Sequence, residues 1–238
     1  MSSFSDVTIN GGTVTANGAT DGAGIGGGYL GAGGTVEING GTVTANGGLW
    51  AAGIGGGYAG ASGAISITGG DVTANGNVGG NPDEDGGAGI GGGEDGDNSG
   101  DGDSISIIGG TVTATVPTGT LGAAIGNGGR SKGTDCAVTI GEGATIEAGA
   151  NQGGTGATAV TDVANNKTYK YAKIFFADTP ALDPVDYIAA SVDEGTHEVN
   201  FTNATCGAYE VVTDTTTAFE GDKTVKSVTG MWEAVVYG

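Results

Sequence analysis

Short aliphatic–hydroxyl alternations recur along the first two-thirds of the chain. Val7-Thr8-Ile9 and Thr13-Val14-Thr15 each put aliphatics on one side and hydroxyls on the other, the period of two that marks a half-buried strand. A turn-forming Asn-Gly-Gly separates them. In full, Val7-Thr-Ile-Asn-Gly-Gly-Thr-Val-Thr-Ala-Asn-Gly18 returns as Val36-Glu-Ile-Asn-Gly-Gly-Thr-Val-Thr-Ala-Asn-Gly47 and, after the same interval again, as Ile65-Ser-Ile-Thr-Gly-Gly-Asp-Val-Thr-Ala-Asn-Gly76. A fourth copy starts at Ile105, and a worn fifth, Val138-Thr-Ile-Gly-Glu-Gly-Ala-Thr-Ile-Glu-Ala148, follows it after a slightly longer interval. Between copies lies a second motif, Gly22-Ala-Gly-Ile-Gly-Gly-Gly28, repeated around Ile54 and Ile90 and altered at Ile125.

A fixed period of this size means a solenoid or a propeller. Apolar anchors at Ile9, Val14 and Ile25, then at Ile38, Val43 and Ile54, predict three short strands in each unbroken unit. A propeller blade takes four longer strands from roughly 40 residues, so one unit fits one coil of a parallel β-helix. The crossover rule makes it right-handed. Coils stacking at about 4.8 Å would place Ile9, Ile38, Ile67, Ile107 and Ile140 in one buried file. The paired glycines, such as Gly11-Gly12, sit at corners where φ above zero is free only for glycine. Gly22-Ala-Gly-Ile-Gly-Gly also matches a dinucleotide fingerprint, but no helix pattern follows and it recurs as repeat punctuation.

Composition divides the chain. Of its 54 glycines, 49 lie in residues 1–156, whereas ten of the 14 aromatics lie from Tyr169 onward. Two regions that fill a core so differently predict two domains, a glycine-rich β-solenoid over 1–158 and a small antiparallel sandwich-like or capping domain over 159–238. Strand-like runs in the latter cover 168–177, 187–192, 197–202, 209–213, 224–228 and 232–237. The expected fold is therefore all-β: a right-handed parallel β-helix of about five coils followed by a small antiparallel β domain.

The formal charge is -20, and the seven bases all lie at or beyond Arg130. Residues 1–129 thus lack the Lys and Arg that phosphate contacts need, which argues against nucleic-acid binding. No apolar run approaches the roughly 20 residues of a membrane span, and the first residues have no signal-peptide character. A single His197 and two cysteines, Cys136 and Cys206, leave no His-rich site or disulfide framework, and both thiols are expected reduced.

The Gly-Gly-Thr-Val-Thr-Ala and Gly-Ala-Gly-Ile-Gly-Gly-Gly units over about residues 7–150 resemble the glycine-rich arrays of secreted surface proteins of Gram-positive bacteria, which are described as adhesin-like or carbohydrate-binding. The resemblance implies a non-enzymatic scaffold at a cell surface or virion exterior, displaying a binding surface for a glycan or host-cell surface. The chain departs from that pattern in lacking a signal peptide and a Leu-Pro-x-Thr-Gly anchor.

Candidate chemistry lies where the repeat varies. Tyr29 and Tyr58 follow the glycine motif at the same place in successive units, so they should lie on adjacent coils, with Trp50 approaching the second motif. Flat aromatic faces suit sugar rings, making Tyr29, Trp50 and Tyr58 the candidate glycan site; covering the edge of the core is their competing role. The file ends there, with Glu94 and Arg130 expected at the matching later positions. An acidic insertion, Asp95-Gly-Asp97-Asn-Ser99-Gly100-Asp101-Gly-Asp103, resembles the opening of an EF-hand or dockerin loop. It implies Ca2+ on Asp95, Asp97, Ser99, Asp101 and Asp103, without the bidentate Glu at position twelve, where Ser106 stands. A solvated acidic loop is the alternative.

Three further readings compete. A purely structural spacer or assembly subunit needs no ligand. A polysaccharide lyase or hydrolase would depend on Arg130 or Lys132 as the basic group, and the carboxylates lie in glycine-rich loops rather than on facing strands. Ice binding would use Thr13/Thr15, Thr42/Thr44 and Thr111/Thr113, a file that Asp71 breaks. Finally, the short stretch before Val7 leaves the opening edge Val7–Asn10 to pair with another chain, as a homo-oligomer or docked component.

Overall fold

The computed structural model describes residues 6–78, 85–96, 103–131 and 134–176, together with the backbone of four later strands. The chain divides into two units, Met1–Ala177 and Asp178–Gly238.

In the first unit, each repeat folds into three strands, one for each of three faces. Coil one holds β1 (Val7–Ile9), β2 (Thr13–Asn17) and β3 (Ile25–Gly26); coil two holds β4 (Thr35–Ile38), β5 (Thr42–Asn46) and β6 (Ile54–Gly55). Coil three holds β7 (Ala64–Ile67), β8 (Asp71–Asn75) and β9 (Ile90–Gly91), and coil four β10 (Ser104–Ile107), β11 (Thr111–Thr115) and β12 (Ile125–Gly126). Like strands of successive coils pair in parallel, which makes this part of the chain a parallel β-helix.

Register follows the repeat. Ile9 pairs with Ile38, Ile38 with Ile67, Ile67 with Ile107 and Ile107 with Ile140, so the expected file exists. Its middle members are fully buried, as are Ile54, Ile90 and Ile125 of the third face. That third face is narrow because its coils approach through glycine. A Cβ on Gly55, at φ +129°, would run into the Gly91 carbonyl. At the corners only the second glycine of each pair takes a left-handed φ, as Gly41 does at +94°.

Side chains tie the coils too. Asn46 donates to Asn17 and Asn75 donates to Asn46, both at 2.8 Å, and the Thr115 hydroxyl donates to Asn75 at 2.7 Å. A shorter file runs from Thr68 through Asn39 to Asn10 at 2.8 and 3.0 Å. Such stacking uses both ends of each interior amide, its oxygen accepting from one coil and its nitrogen donating to the other.

The fifth turn departs from the repeat. β13 (Ala137–Ile140) continues the first sheet, but β14 (Ala144–Gly149) does not lie on β11. Instead β16 (Tyr171–Phe176) inserts between them, antiparallel to both, and β15 (Thr158–Ala159) closes the sheet beyond β14. The reason lies in β16, where Ala172 and Ile174 alternate inward, fully buried, over Ala114 and Val112. The third face gains its fifth rung from a parallel bridge between Ala164 and Ile125. The first unit therefore ends at Ala177 and not at 158: the strand-like run expected to open the second domain is the last strand of the solenoid.

Of the second unit, β17 (Ala189–Val192) pairs antiparallel with β18 (Val199–Thr202), and β19 (Thr224–Val228) with β20 (Met231–Val235). The expected strand over 209–213 falls outside the described residues. No helix among the described residues is long and apolar enough to cross a membrane.

Candidate functional site

After the glycine motif each coil makes a tight turn, and the same turn stacks four times. Leu30, Ala59, Asp95 and Arg130 all hold a left-handed φ there, between +46° and +57°. The turns are linked by backbone bonds: Leu30 N–H donates to Tyr58 O, Ala59 N–H to Glu94 O and Asp95 N–H to Gly129 O, at 2.9, 2.7 and 2.9 Å. Tyr29, Tyr58, Glu94 and Gly129 thus share one file. Arg130 falls one residue beyond it, which corrects the expectation that Arg130 follows Glu94 there.

A second stacked turn faces this one. Asp21 and Trp50 occupy the same place in their coils, again with left-handed φ, +64° and +58°. The Asp21 carbonyl accepts the Tyr58 N–H at 2.9 Å and the Trp50 carbonyl accepts the Glu94 N–H at 2.8 Å. Two turns joined in this way leave a cleft of about 370 Å³ between them, lined by Asp21, Tyr29, Trp50, Tyr58, Glu94 and Arg130. Left-handed φ at non-glycine residues costs energy and clusters at binding sites.

The three aromatics predicted from the sequence meet here. Tyr29 and Tyr58 stack with centroids 5.8 Å apart and planes 12° from parallel, while Trp50 lies 5.7 Å from Tyr58 at 56°. Stacking turns one face of each tyrosine toward the other, so the platform is smaller than two free rings would give. Tyr29 keeps 60% of its surface exposed and is the outermost ring. The Tyr58 hydroxyl donates to Asp95 Oδ2 at 3.4 Å. Partial burial raises the Tyr58 phenol above its ordinary pKa, and the carboxylates of Asp95 and Glu94 add to the rise.

Charge is arranged in layers. Asp85 and Glu94 are almost fully buried, at 4% and 5% exposure. Arg130 covers both, its Nε paired with Asp85 and its Nη1 3.9 Å from Glu94 Oε1, with 63% of its own side chain in solvent. The Asp21 Oδ1 is shielded from solvent and accepts no hydrogen bond from the described residues. Sequence reasoning misses Asp21 and the role of Glu94, and makes Asp85, with Asp83 and Glu84 outside the described residues, a supplementary calcium ligand rather than the partner of Arg130; a column-by-column comparison of the repeats would have placed Asp21 beside Trp50.

Of the five candidate calcium ligands, Asp97, Ser99 and Asp101 lie outside the described residues. Asp95 accepts from Tyr58, and Asp103 Oδ1 accepts the Gly63 N–H at 2.9 Å. Among the described residues no three or more acidic, His or Cys side chains gather as a metal site. Lys132, the other basic candidate for a lyase, also lies outside the described residues. Cys136 is a buried free thiol with Sγ 3.3 Å from Ser62 Oγ. Burial pushes its pKa up, while the Ser62 contact opposes the rise, so it is a poor nucleophile. Cys206 lies outside the described residues. The outward threonine file is interrupted as expected, since Thr42 and Thr111 both pair with Asp71.

Residues 7–29, 36–58 and 65–94 match the family model described as Beta helix repeat. No curated protein and no solved structure matches the chain. The three matched segments begin at β1, β4 and β7 and end on Tyr29, Tyr58 and Glu94, so each repeat closes on a cleft residue, and over these three coils the chain is similar to β-helix repeats.

Proposed function

We propose that this protein is a non-enzymatic, adhesin-like component of a cell surface or virion exterior, whose β-solenoid displays a glycan-binding cleft. The observation that carries the reading is the convergence of Tyr29, Trp50 and Tyr58 on one open cleft with carboxylates at its wall. An exposed ring offers an apolar face to a sugar ring, and the acids at the wall accept hydroxyl hydrogen bonds, the usual mixture in a ligand site. The non-catalytic character is supported by Arg130: Asp85 and Glu94 hold its side chain as the guanidinium cation, which is not the neutral base that a lyase would need. Calcium at Asp95, Asp97, Ser99, Asp101 and Asp103 belongs to the same proposal as a support for the neighbouring loop.

A glycan array probed with the full chain, in calcium and in chelator, tests this. Binding that disappears in the Tyr29→Ala/Tyr58→Ala double variant supports the reading, and loss in chelator supports the calcium. Absence of binding to every glycan defeats it in favour of a structural subunit. One observation favours that second reading: β1, β2 and β3 end their sheets among the described residues, and Asn10 and Asn17 enter the side-chain files only as acceptors. Such an edge accepts a strand from another copy or from a larger assembly.

A further inference from the structure

The cleft carries far more acid than base. Asp21 and Glu94 line it, Asp95 lies against the Tyr58 hydroxyl and Asp85 lies beneath Arg130. Four carboxylates therefore lie in or beside a cleft with one guanidinium, which contacts Asp85 and Glu94. Arg130 has little to offer an anionic ligand, because its Nε is held by Asp85 and its Nη1 faces Glu94. An anionic sugar would have to displace Asp85 and approach the remaining acids. A neutral sugar could donate hydroxyl hydrogen bonds to the Asp21 carboxylate at the cleft wall but would leave its charge uncompensated.

A cation meets the opposite situation. An ammonium brings only donors, which is what an acceptor-only carboxylate requires. The exposed Tyr29 ring at the mouth attracts positive charge over its face as well as the apolar face of a sugar. Arg130 is the one positive side chain lining the cleft, its charge offset by Asp85 and Glu94, and residues 1–129 add none to oppose the approach of a cation.

We propose that the glycan of this cleft carries free amino groups: a hexosamine oligomer with unacetylated 2-amino substituents, one ring on Tyr29 and its ammonium at Asp21. This rests on the glycan reading of the same cleft. It differs from general attraction of cations to an acidic protein, since it places the discrimination at Asp21. Asparagine at that position preserves shape and tolerates the left-handed backbone, so Asp21→Asn removes charge without forcing a new turn.

The test is calorimetric titration of the full chain with a glucosamine oligomer and with its fully N-acetylated counterpart. It is run with chelator, in slightly acid buffer that keeps the sugar amine protonated. The amine form should bind at least about tenfold tighter. Asp21→Asn should abolish that preference, whereas Asp71→Asn, an equal charge change on the exposed face of β8, should leave it intact. Equal loss in the two variants would overturn the proposal, showing attraction by overall charge alone. Equal affinity for the two oligomers, lost in Tyr29→Ala, would overturn it while leaving the glycan reading standing. If neither oligomer binds, the proposal fails, and the glycan array then decides separately whether the broader reading fails with it.

Discussion

Lys170 is an ammonium in the wrong place for a charge. It is 5% exposed immediately before β16, where its Nζ donates to the carbonyls of Gly122, at 2.8 Å, and Lys167. Burial, with a smaller contribution from Lys167, pulls its pKa from 10.5 down to about 8. That gap corresponds to roughly 3 kcal/mol between the two protonation states. Between the two values the unfolded chain holds a proton that the folded chain has released, so stability rises with pH across that window. The gain is complete above the unfolded value and is lost as pH falls through about 8. Replacing Lys170 by Met removes the titration while filling similar volume. The assay is urea unfolding followed by Trp50 fluorescence in a Trp232→Phe background, so that the signal reports the first unit. Wild type should gain roughly 3 kcal/mol relative to Lys170→Met between about pH 7.5 and 10.5. Tyr58 and Cys136, whose pKa values are raised, lower stability above their unfolded values, but they do so in both proteins and cancel in the difference. A difference that stays flat over this range would show that Lys170 is solvated in the fold and refute the argument.

The stack of coils can be probed at two places. Asn46 makes two side-chain bonds in its file and Asn17 makes one, so Asn46→Ala should cost about 2 kcal/mol and Asn17→Ala about 1 in the same urea assay; equal costs would mean the file contributes nothing beyond local effects. Gly55→Ala should destabilise by roughly 3 kcal/mol or more or prevent folding, because its Cβ meets the Gly91 backbone at a φ that L-residues avoid, whereas Gly28→Ala, with open space around it, should stay within about 0.5 kcal/mol. Comparable melting temperatures for these two variants would contradict the close approach of the coils.

The parts of the fold that were legible in the sequence are those where one residue type can satisfy one environment. Ile at positions 9, 38, 67 and 107 recurs because the inside of a coil recurs, and the register in space is the register in the sequence. The fifth turn was not legible in the same way. Val138 to Ala148 reads as another copy, and β13 obeys it, but whether β14 or β16 lies on β11 is a competition between two aliphatic alternations. Ala144-Thr-Ile-Glu-Ala and Tyr171-Ala-Lys-Ile-Phe each offer an inward pair, and nothing local says which will face Val112. Long-range pairing decides this, so the apparent composition boundary near 158 fell inside the solenoid. The aromatic site was legible because the same spacing that stacks isoleucines stacks tyrosines. Its acids were not, since an aspartate in a glycine-rich turn reads as solvated loop until the facing turn is known.

The place of the cleft follows from how the repeat varies. A solenoid of identical coils presents identical files, and a file of like side chains offers a ligand no unique orientation. Orientation requires the files to change identity along the stack, and here they change together. One file passes from Tyr29 and Tyr58 to Glu94 and then Gly129, its neighbour from Leu30 and Ala59 to Asp95 and Arg130, and the facing turn from Asp21 to Trp50. The backbone bonds that join these turns are the same in each coil, so the substitutions alter the surface without altering the frame. The third coil also accommodates extra residues on both sides of Ile90, and it places Asp85 under Arg130 where the two regular coils have Thr20 and Leu49. The glycine-rich stack holds the frame rigid, and the positions that break its repetition give the cleft an aromatic end at Tyr29 and a charged end at Arg130.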